Sequence, residues 1–477
     1  MGRTLLAGGD ILIGDPGAGR VETADLLIDD GRIAAIGPGD GAEAERVDVG
    51  GALVIPGFVD THRHVWQTAM RGICADWTLL DYFLGIRVNA AGVFGPEDVY
   101  AGNCVGALEA LDAGVTCVLD FSHCLNSPEH ADEAVRGLRD AGIRGTWAYG
   151  MYPVPLEAPA FADVAARSAD ARRVRERHFS AGDDRLRMGV ALTELGLVPW
   201  ETTLAEVELG RELDLLVTAH IGTVWSDRRQ PEVALLHAAG LLGERQVHVH
   251  CNACSGAELD LLADAGASVS VTPETELQMG MGFPVTQRLL ERGMTPSLGC
   301  DIVSNNRGEL FTQMRLGLAC ERARTNETEL RAGVMPQTLT LTAAEMLRFA
   351  TIGGAAALGL ESEIGSIEVG KAADLVVLRT DGLGFAPPND PVAQIVMQAG
   401  VNEVDAVFVG GEPVKLGGRL VGDAAGGASR LAVESRDRIV AALEPRGGFL
   451  PPAPEGWFDA TLDAFEANLA SAPKVKE

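Results

Sequence analysis

Two patterns of apolar and polar positions divide the chain. From Leu5 to Val54, short apolar runs alternate with polar residues, and Asp30 and Gly31 lie between two of these runs. Alternation with a period of two predicts strands, and an Asp-Gly pair between two strands predicts a tight hairpin. The beginning of the chain is therefore predicted to form a small antiparallel sheet.

After residue 56, apolar runs of strand length alternate with segments of helical period. Eight strands are predicted, at Phe58 and at residues 116–120, 145–149, 187–192, 215–219, 246–249, 268–271 and 295–298. Helices are predicted between them, at residues 96–113, 129–141, 161–179, 202–213, 231–239, 256–265 and 286–292. Strands that alternate with helices indicate βα units and a parallel sheet. Eight such units match a (β/α)8 barrel better than an open doubly wound sheet.

The end of the chain returns to the strand pattern. A helix is predicted at residues 342–358, alternating strands and turns continue to residue 419, and two helices are predicted at 431–443 and 457–469. We therefore predict an α/β protein in four parts. Residues 1–55 and 359–420 form one small composite β-sandwich domain, residues 56–358 form the (β/α)8 barrel, and residues 421–477 form a C-terminal helical tail.

Composition narrows the class of protein. The formal net charge of −28 disfavours nucleic acid and anionic membrane as partners. The first residues lack the pattern of a secretory signal, and no apolar run is long enough to cross a bilayer. Eight cysteines among 477 residues are too few for a disulfide framework, which agrees with a reducing compartment. These features predict a cytoplasmic protein.

Side chains that bind metals follow four of the predicted strands. His62 and His64 follow the first strand, His220 the fifth, His250 the sixth and Asp301 the eighth. The C-terminal ends of barrel strands meet at one face, so these side chains are expected to lie together. Each residue alone also fits a strand-end group that hydrogen-bonds the backbone. Their joint placement favours a divalent metal site, where a bound water has its pKa lowered from about 15.7 to roughly 7.

Two of these residues have two open roles each. Asp301 can ligate the metal, and it can also carry a proton from the attacking water to a leaving group. His250 fits either a further ligand or a base that orients the attacking water, because its spacing does not separate the two roles.

Several stretches match the motifs of a known family. They are PGFVDTHRH with the following Arg71-Gly72, then ALDAGVTCVLD, VHCNACS, LGCD and the long stretch from Ala350 to Leu378. With these motifs the chain resembles the amidohydrolase superfamily, and within it the cytosine deaminase and atrazine chlorohydrolase-like branch. The resemblance implies one divalent metal ion per chain, most often zinc, with iron, cobalt and manganese as alternatives. It also implies a homodimer or a larger homo-oligomer.

The resemblance assigns roles to the strand-end residues. It implies that His62, His64, His220 and Asp301 bind the metal and that His250 lies near the attacking water. The implied reaction is hydrolysis at an sp2 carbon of a small nitrogen heterocycle or urea-like substrate, which displaces ammonia, an amine or a related leaving group. A single metal ion is expected, because no lysine stands where a carboxylated lysine would bridge two ions.

One position departs from the family pattern. Deaminases of this branch usually carry a glutamate three residues after the strand-five histidine, where it protonates the ring nitrogen, whereas this chain has Thr223. A hydroxyl cannot act as an acid near pH 7. Glu274 and Glu276, just after the seventh strand, are candidate catalytic replacements. Exposed charges at the start of a helix are the alternative explanation for both.

Other residues near the strand ends are candidates for substrate contact. Aromatic, amide and thioether side chains suit a flat substrate, and a histidine or a hydroxyl can hydrogen-bond it. The candidates are Trp66, Gln67, Trp77, His123, Thr223 and Met279. Packing in the core explains the aromatic and thioether side chains equally well.

The sequence therefore predicts a metal-dependent amidohydrolase that acts on C–N bonds other than peptide bonds. Two alternatives stay open because of Thr223. The first is a hydrolase of phenylureas or thiocarbamates, whose leaving groups need less help from an acid at a ring nitrogen. The second is a noncatalytic binding protein that keeps the barrel and the metal site.

Overall fold

The predicted N-terminal sheet and its hairpin are present. A computed structural model describes residues 2–38, 43–180 and 185–475. Five strands precede the barrel: β1 (Thr4–Leu12), β2 (Val21–Asp29), β3 (Arg32–Ile36), β4 (Glu45–Asp48) and β5 (Ala52–Pro56). Asp30 and Gly31 have positive φ angles of 47° and 77° and join the antiparallel strands β2 and β3. A two-residue turn of this kind matches the twist of a hairpin, so the prediction is confirmed.

Eight parallel strands form the barrel at the predicted places. They are β6 (Phe58–Arg63), β7 (Val115–Ser122), β8 (Arg144–Gly150), β9 (Leu186–Ala191), β10 (Leu216–Ile221), β11 (Gln246–His250), β12 (Ser268–Val271) and β13 (Ser297–Leu298). Every residue of β6, β7, β10 and β11 is buried. Helices cover the outside of such a barrel and side chains fill its inside, which is why every position of these strands is buried, the polar positions included.

Ten α-helices accompany the barrel strands in the described parts of the chain. They are α1 (Leu79–Tyr82), α2 (Pro96–Asp112), α3 (Pro128–Ala141), α4 (Val164–His178), α5 (Trp200–Glu212), α6 (Glu232–Ala238), α7 (Gly256–Asp264), α8 (Pro273–Gln278), α9 (Thr286–Leu290) and α10 (Leu310–Arg331). The seven predicted helices correspond to α2 to α7 and α9. Among the described residues, no helix is both long and apolar enough to pass through a membrane.

Backbone hydrogen bonds between the last and the first strand close the barrel. The backbone N–H of Asp301 donates to the carbonyl of His62 at 2.9 Å, and the N–H of His64 donates to the carbonyl of Asp301 at 2.8 Å. Gly299 allows this close approach, because a Cβ atom at its position would lie 2.7 Å from the carbonyl oxygen of His62. The predicted metal-binding motifs of the first and eighth strands are thereby held side by side.

The end of the chain completes the N-terminal sheet. It contains α11 (Ala343–Phe349), α12 (Ile352–Ala357), β14 (Leu375–Arg379), α13 (Pro391–Met397), β15 (Val404–Val409), β16 (Glu412–Leu416), β17 (Arg419–Leu420), α14 (Ala424–Leu443) and α15 (Trp457–Asn468). The strand order is β17-β16-β15-β14-β5-β1-β2-β3, with β4 beside β1. Strand β14 pairs antiparallel with β5, so both ends of the chain build one sheet. The predicted barrel with a composite β-sandwich domain is confirmed.

The single helix predicted at residues 342–358 is wrong, because the structure has two helices there. Thr351 separates α11 from α12 with a φ of −130° and a ψ of −99°, which are not helical values. The break turns Gly354 onto the first barrel strand, where a Cβ atom would lie 2.9 Å from the carbonyl oxygen of Val59. Close contact between α12 and β6 thus outweighs the continuous helical pattern of the sequence.

Candidate active site

The histidines and the aspartate predicted from the strand ends lie together at the C-terminal mouth of the barrel. The ligand atoms of His62, His64 and Asp301 lie within 4.8 Å of one another, and so do those of His62, His220 and His250. The Nε2 atom of His62 is 3.1 Å from the Oδ1 atom of Asp301 and 3.3 Å from the Nε2 atom of His220. All five side chains are buried. The structure therefore brings the whole predicted set into one cluster.

Hydrogen bonds outside the cluster orient two of its imidazoles. The Nδ1 atom of His64 lies 2.9 Å from the carbonyl oxygen of Phe121, and the Nδ1 atom of His220 lies 2.9 Å from a carboxylate oxygen of Glu194. Both partners are acceptors, so each Nδ1–H donates and each Nε2 keeps a lone pair that faces the cluster. A cation among these lone pairs and the carboxylate would be bound by all of them, so this donor set fits a divalent metal ion.

Burial sets the protonation states that a metal ion requires. It lowers the pKa of His62 to about 4, and it also lowers the pKa values of His64 and His220. Burial alone would raise the pKa of Asp301, but the hydrogen bond with His62 and the neighbouring imidazoles hold that pKa well below its usual range. Neutral imidazoles and an ionised carboxylate are the forms that ligate metals.

Glu276 holds His250 rather than facing the substrate. One carboxylate oxygen of Glu276 lies 3.3 Å from the Nδ1 atom of His250 and accepts a hydrogen bond from the backbone N–H of Thr272 at 2.9 Å. Its other oxygen accepts from the side-chain amide of Asn252 at 3.2 Å. His250 has a left-handed backbone with a φ of 74°, a strained conformation that these bonds help to maintain. Glu276 is thus buried behind the imidazole that it orients.

Glu274 is not brought into the cluster. One of its carboxylate oxygens accepts a hydrogen bond from the side-chain amide of Gln313 at 2.9 Å, and its backbone N–H donates to the amide oxygen of Gln313 at 3.1 Å. Gln313 belongs to α10, on the outside of the barrel. Burial and the nearby Glu309 raise the pKa of Glu274 to about 7. The contacts with Gln313 hold Glu274 at the start of α8.

A small chamber of about 20 Å³ adjoins the cluster. Apolar and aromatic side chains line it, among them Tyr82, Phe83 and Met281. Two of the predicted substrate contacts, Thr223 and Met279, also line the chamber. Apolar side chains therefore lie directly beside the polar cluster.

Trp66 and His123 lie behind the chamber and support it. The indole N–H of Trp66 donates to the Nδ1 atom of His123 at 2.9 Å. The ring of His123 is stacked parallel to that of His64, with the ring centroids 4.1 Å apart. Both residues therefore fix the position of His64, and neither is part of the chamber lining.

Gln67 and Trp77 occupy similar supporting positions. The side-chain amide of Gln67 donates to the hydroxyl of Tyr82 at 2.7 Å, and its oxygen accepts from Ser304 at 2.8 Å. The ring of Trp77 lies against Gly85, where a Cβ atom would be 2.5 Å away. These contacts place the wall residue Tyr82 and the helical segment behind it.

The sequence analysis missed two charged residues that line the chamber, Arg87 and Glu194. Arg87 donates to both carboxylate oxygens of Glu194, at 2.7 and 3.2 Å, and both side chains are buried. Burial alone would raise the pKa of Glu194, but Arg87 and His220 hold it well below its usual range. Glu194 follows the fourth barrel strand, so the rule that identified the other strand-end residues applies to it as well.

The comparison with known families identifies the class of protein. Residues 53–414 match the model of the amidohydrolase family. The chain belongs to this family. The family and the cluster of histidines with an aspartate define a metal-dependent hydrolase of C–N bonds, as the sequence predicted.

Relatives of similar length extend the likeness along most of the chain. The chain is 28% identical over 429 residues to the 5'-deoxyadenosine deaminase of Methanothermobacter thermautotrophicus, which covers 87% of this chain and 94% of the relative. It is 29% identical over 430 residues to the 5-methylthioadenosine/S-adenosylhomocysteine deaminase of Symbiobacterium thermophilum, with the same coverage.

Solved structures share the fold. An adenosine deaminase from Xanthomonas campestris with bound zinc has a TM-score of 0.80 and 27% identity, and the match covers 91% of this chain and 98% of that one. The atrazine chlorohydrolase of Arthrobacter aurescens with zinc has a TM-score of 0.73 and 22% identity, and the match covers 90% of this chain and 100% of that one. The predicted superfamily is confirmed by the family match, and the atrazine chlorohydrolase shares its fold with this chain.

Proposed function

We propose that this chain hydrolyses the C–N bond at an sp2 carbon of a flat nitrogen heterocycle and releases ammonia or an amine. One zinc ion per chain would be held by His62, His64, His220 and Asp301. The convergence of buried imidazole nitrogens and a carboxylate beside the chamber carries this proposal. An ion held there would supply a Lewis acid that lowers the pKa of water toward neutrality.

In this proposal Asp301 transfers a proton and His250 orients the attacking water. The Asp301 carboxylate accepts the proton of the attacking water and passes it to the leaving nitrogen, which departs as ammonia or an amine. His250 orients the attacking water, because Thr272 and Glu276 fix its ring from the Nδ1 side. Glu276 and Thr272 are positioning residues in this scheme.

Thr223 restricts the proposal to substrates that react without an acid at a ring nitrogen. Its hydroxyl lines the chamber and can hydrogen-bond a ring nitrogen, but it does not protonate one near pH 7. Glu194 does not replace the missing acid, because Arg87 and His220 keep it ionised. The favoured substrates therefore have a carbon that is electrophilic without ring protonation, as in electron-poor heterocycles. Urea-like groups share this property, so a phenylurea or thiocarbamate hydrolase is the second candidate.

A panel of amines tests the proposal on the purified, zinc-loaded chain. It contains 5'-deoxyadenosine and 5'-methylthioadenosine, after the names of the relatives, together with melamine and phenylurea. We expect ammonia or amine release from at least one compound, lost after chelation and in Asp301→Ala. Turnover that survives both changes, or no release from any compound, would contradict the proposal.

Two expectations about the whole protein stay predictions. We propose a homodimer or larger homo-oligomer in the cytoplasm, as the sequence analysis predicted. Light scattering after size-exclusion chromatography measures the mass in solution, and a monomeric mass of 50.1 kDa would contradict the first expectation.

A further inference from the structure

A second cavity lies outside the metal-side chamber. Its volume is about 200 Å³, and it shares the wall residues Phe83, Glu194, His220 and Thr223 with the chamber. The shared walls make the cavity an immediate neighbour of the chamber, and we call it the outer chamber. A substituent of a substrate bound at the cluster would enter it past these four side chains.

Helix α15 builds the outer wall of this outer chamber. Trp457, Phe458, Leu462 and Phe465 of α15 line it. These positions recur with helical spacing on one face, whereas Asp459 lies on the exposed face. The C-terminal tail thus contributes an apolar surface to the site.

Two loops of the barrel hold α15 in place. Arg228, in the loop after the fifth strand, binds Asp463 at 2.6 Å and Glu466 at 2.7 Å. The side-chain amide of Asn468 donates to the carbonyl of Gly196, in the loop after the fourth strand, at 2.9 Å. Those loops also carry Thr223 and Glu194, so the tail is fastened next to the residues of the inner chamber.

Charge at the outer chamber decides which substituent it accepts. Arg228 is engaged with α15, and Arg229 binds Glu232 at 3.0 Å and Glu258 at 2.8 Å. Within the described structure, the two arginines that line the outer chamber therefore already have carboxylate partners. An anionic substituent would have to break these pairs, whereas an apolar one gains burial against α15.

We propose that α15 is part of the substrate-binding site and that the outer chamber binds an uncharged apolar substituent of the substrate. This inference rests on the proposed function and adds a substrate class to it, namely flat nitrogen heterocycles with an alkyl or aryl arm. Phe465 and Trp457 determine the preference for the arm, while the cluster binds the head.

Pairs of compounds with identical heads test this preference. We would titrate 9-methylhypoxanthine against 9-pentylhypoxanthine, and N-methylcyanuric acid against N-pentylcyanuric acid, into the zinc-loaded chain by calorimetry. These heads have no exocyclic amine, so binding is measured without turnover. We expect the pentyl member of at least one pair to bind at least about tenfold more tightly, because four further methylene groups are buried.

Variants of α15 separate recognition from folding. Phe465→Ala and Trp457→Ala should each remove most of the pentyl preference and leave the methyl compound's affinity within about twofold. Phe465→Leu keeps an apolar side chain and should retain much of the preference. This result would show that the loss in Phe465→Ala is not a general folding defect. Asp459→Ala, on the exposed face of α15, is the matched control and should bind both members like the wild type.

The outcomes for the two proposals differ. Binding of a head with equal affinity for both arm lengths would overturn the role of α15 and leave the proposed function standing. Equal weakening of both members in Phe465→Ala, with Phe465→Leu similarly weak, would also overturn it. Failure of every head to bind the wild type would overturn the proposed heterocycle chemistry and the outer chamber's role together.

Discussion

Glu194, which follows strand β9, accepts a hydrogen bond at 2.9 Å from the Nδ1 atom of His220, which lies in strand β10. The same carboxylate binds Arg87 through both of its oxygens. It therefore orients an imidazole of the candidate metal site and neutralises a buried guanidinium at once. Loss of its charge is expected to affect metal binding and stability together.

The variant Glu194→Gln tests this double role. We expect zinc affinity to fall by about 10- to 100-fold, because His220 loses the carboxylate that raises its basicity. We also expect the free energy of unfolding to fall by about 3 kcal/mol, because Arg87 stays buried without its full partner. Competition with a chromogenic chelator measures the first change, and urea unfolding measures the second.

Glu206→Gln is the matched control for that experiment. Glu206 is equally buried and accepts hydrogen bonds from the backbone N–H and the hydroxyl of Thr193, both at 2.8 Å. The described contacts of Glu206 do not include His220. Its variant should keep wild-type zinc affinity, and equal losses in both variants would rule out a specific role for Glu194.

Glu206 also predicts a pH dependence of stability. Burial raises its pKa in the folded chain from 4.5 to about 7. Between these values the folded state binds more protons than the unfolded state, so stability falls as the pH rises. This group should remove up to about 3 kcal/mol of unfolding free energy from pH 4.5 to pH 7.

Unfolding of the wild type and Glu206→Gln across that pH range isolates this contribution. The stability of the variant relative to the wild type should be higher at pH 7.5 than at pH 5, because glutamine carries no charge to bury. Two curves that stay parallel from pH 4.5 to 7.5 would show that Glu206 does not titrate as expected.

Asp301 should be required for both the metal and the reaction. Asp301→Ala removes the carboxylate that lies 3.1 Å from His62, so we expect loss of bound zinc and a fall in turnover of at least about 100-fold. Elemental analysis of the purified variant gives the zinc content. Asp459→Ala serves as the control for loss of an aspartate and should contain as much zinc as the wild type.

Thr223 should limit the range of substrates. Thr223→Glu places a carboxyl group in the chamber, where it can protonate a ring nitrogen. We expect about a 100-fold gain in kcat for adenosine-type amines and no comparable gain for phenylurea. The glutamine of Thr223→Gln is nearly as large as glutamate but carries no acid. A similar gain in that variant would show that the shape of the side chain, not proton transfer, is responsible.

The barrel could be predicted from the sequence because eight segments of strand length alternate with segments of helical period. The same order along the chain identified His62, His220, His250 and Asp301, since a barrel gathers its strand ends at one face. At these positions the local sequence pattern agrees with the overall fold. The pattern therefore predicts the strands and the clustered side chains together.

Other features depend on contacts that no local pattern contains. Arg87 is an isolated charge in the apolar segment Phe83–Ala90, and only the fold shows that Glu194 lies against it. The sequence places Glu274 and Glu276 equally well for contact with a substrate, whereas in the structure Gln313 binds the first and His250 the second. Spacing along the sequence does not reveal which way such side chains turn.

The long helix α10 was missed for a related reason. Its buried apolar residues are concentrated in its first half, from Leu310 to Leu318, and its second half is largely charged and solvent-facing. A helical period is visible only where one face is buried along the whole length. The end of α10 is therefore helical without an amphipathic signal.

The seam between the first and eighth strands bears on how the protein is made. During synthesis, His62 and His64 leave the ribosome 239 and 237 residues before Asp301, the residue whose backbone hydrogen-bonds both of theirs. The ligand set is thus complete only after almost the whole barrel has been translated. A metal ion that meets a nascent chain ending before Asp301 would find the candidate site unfinished, so we expect metal insertion in the last stage of barrel assembly.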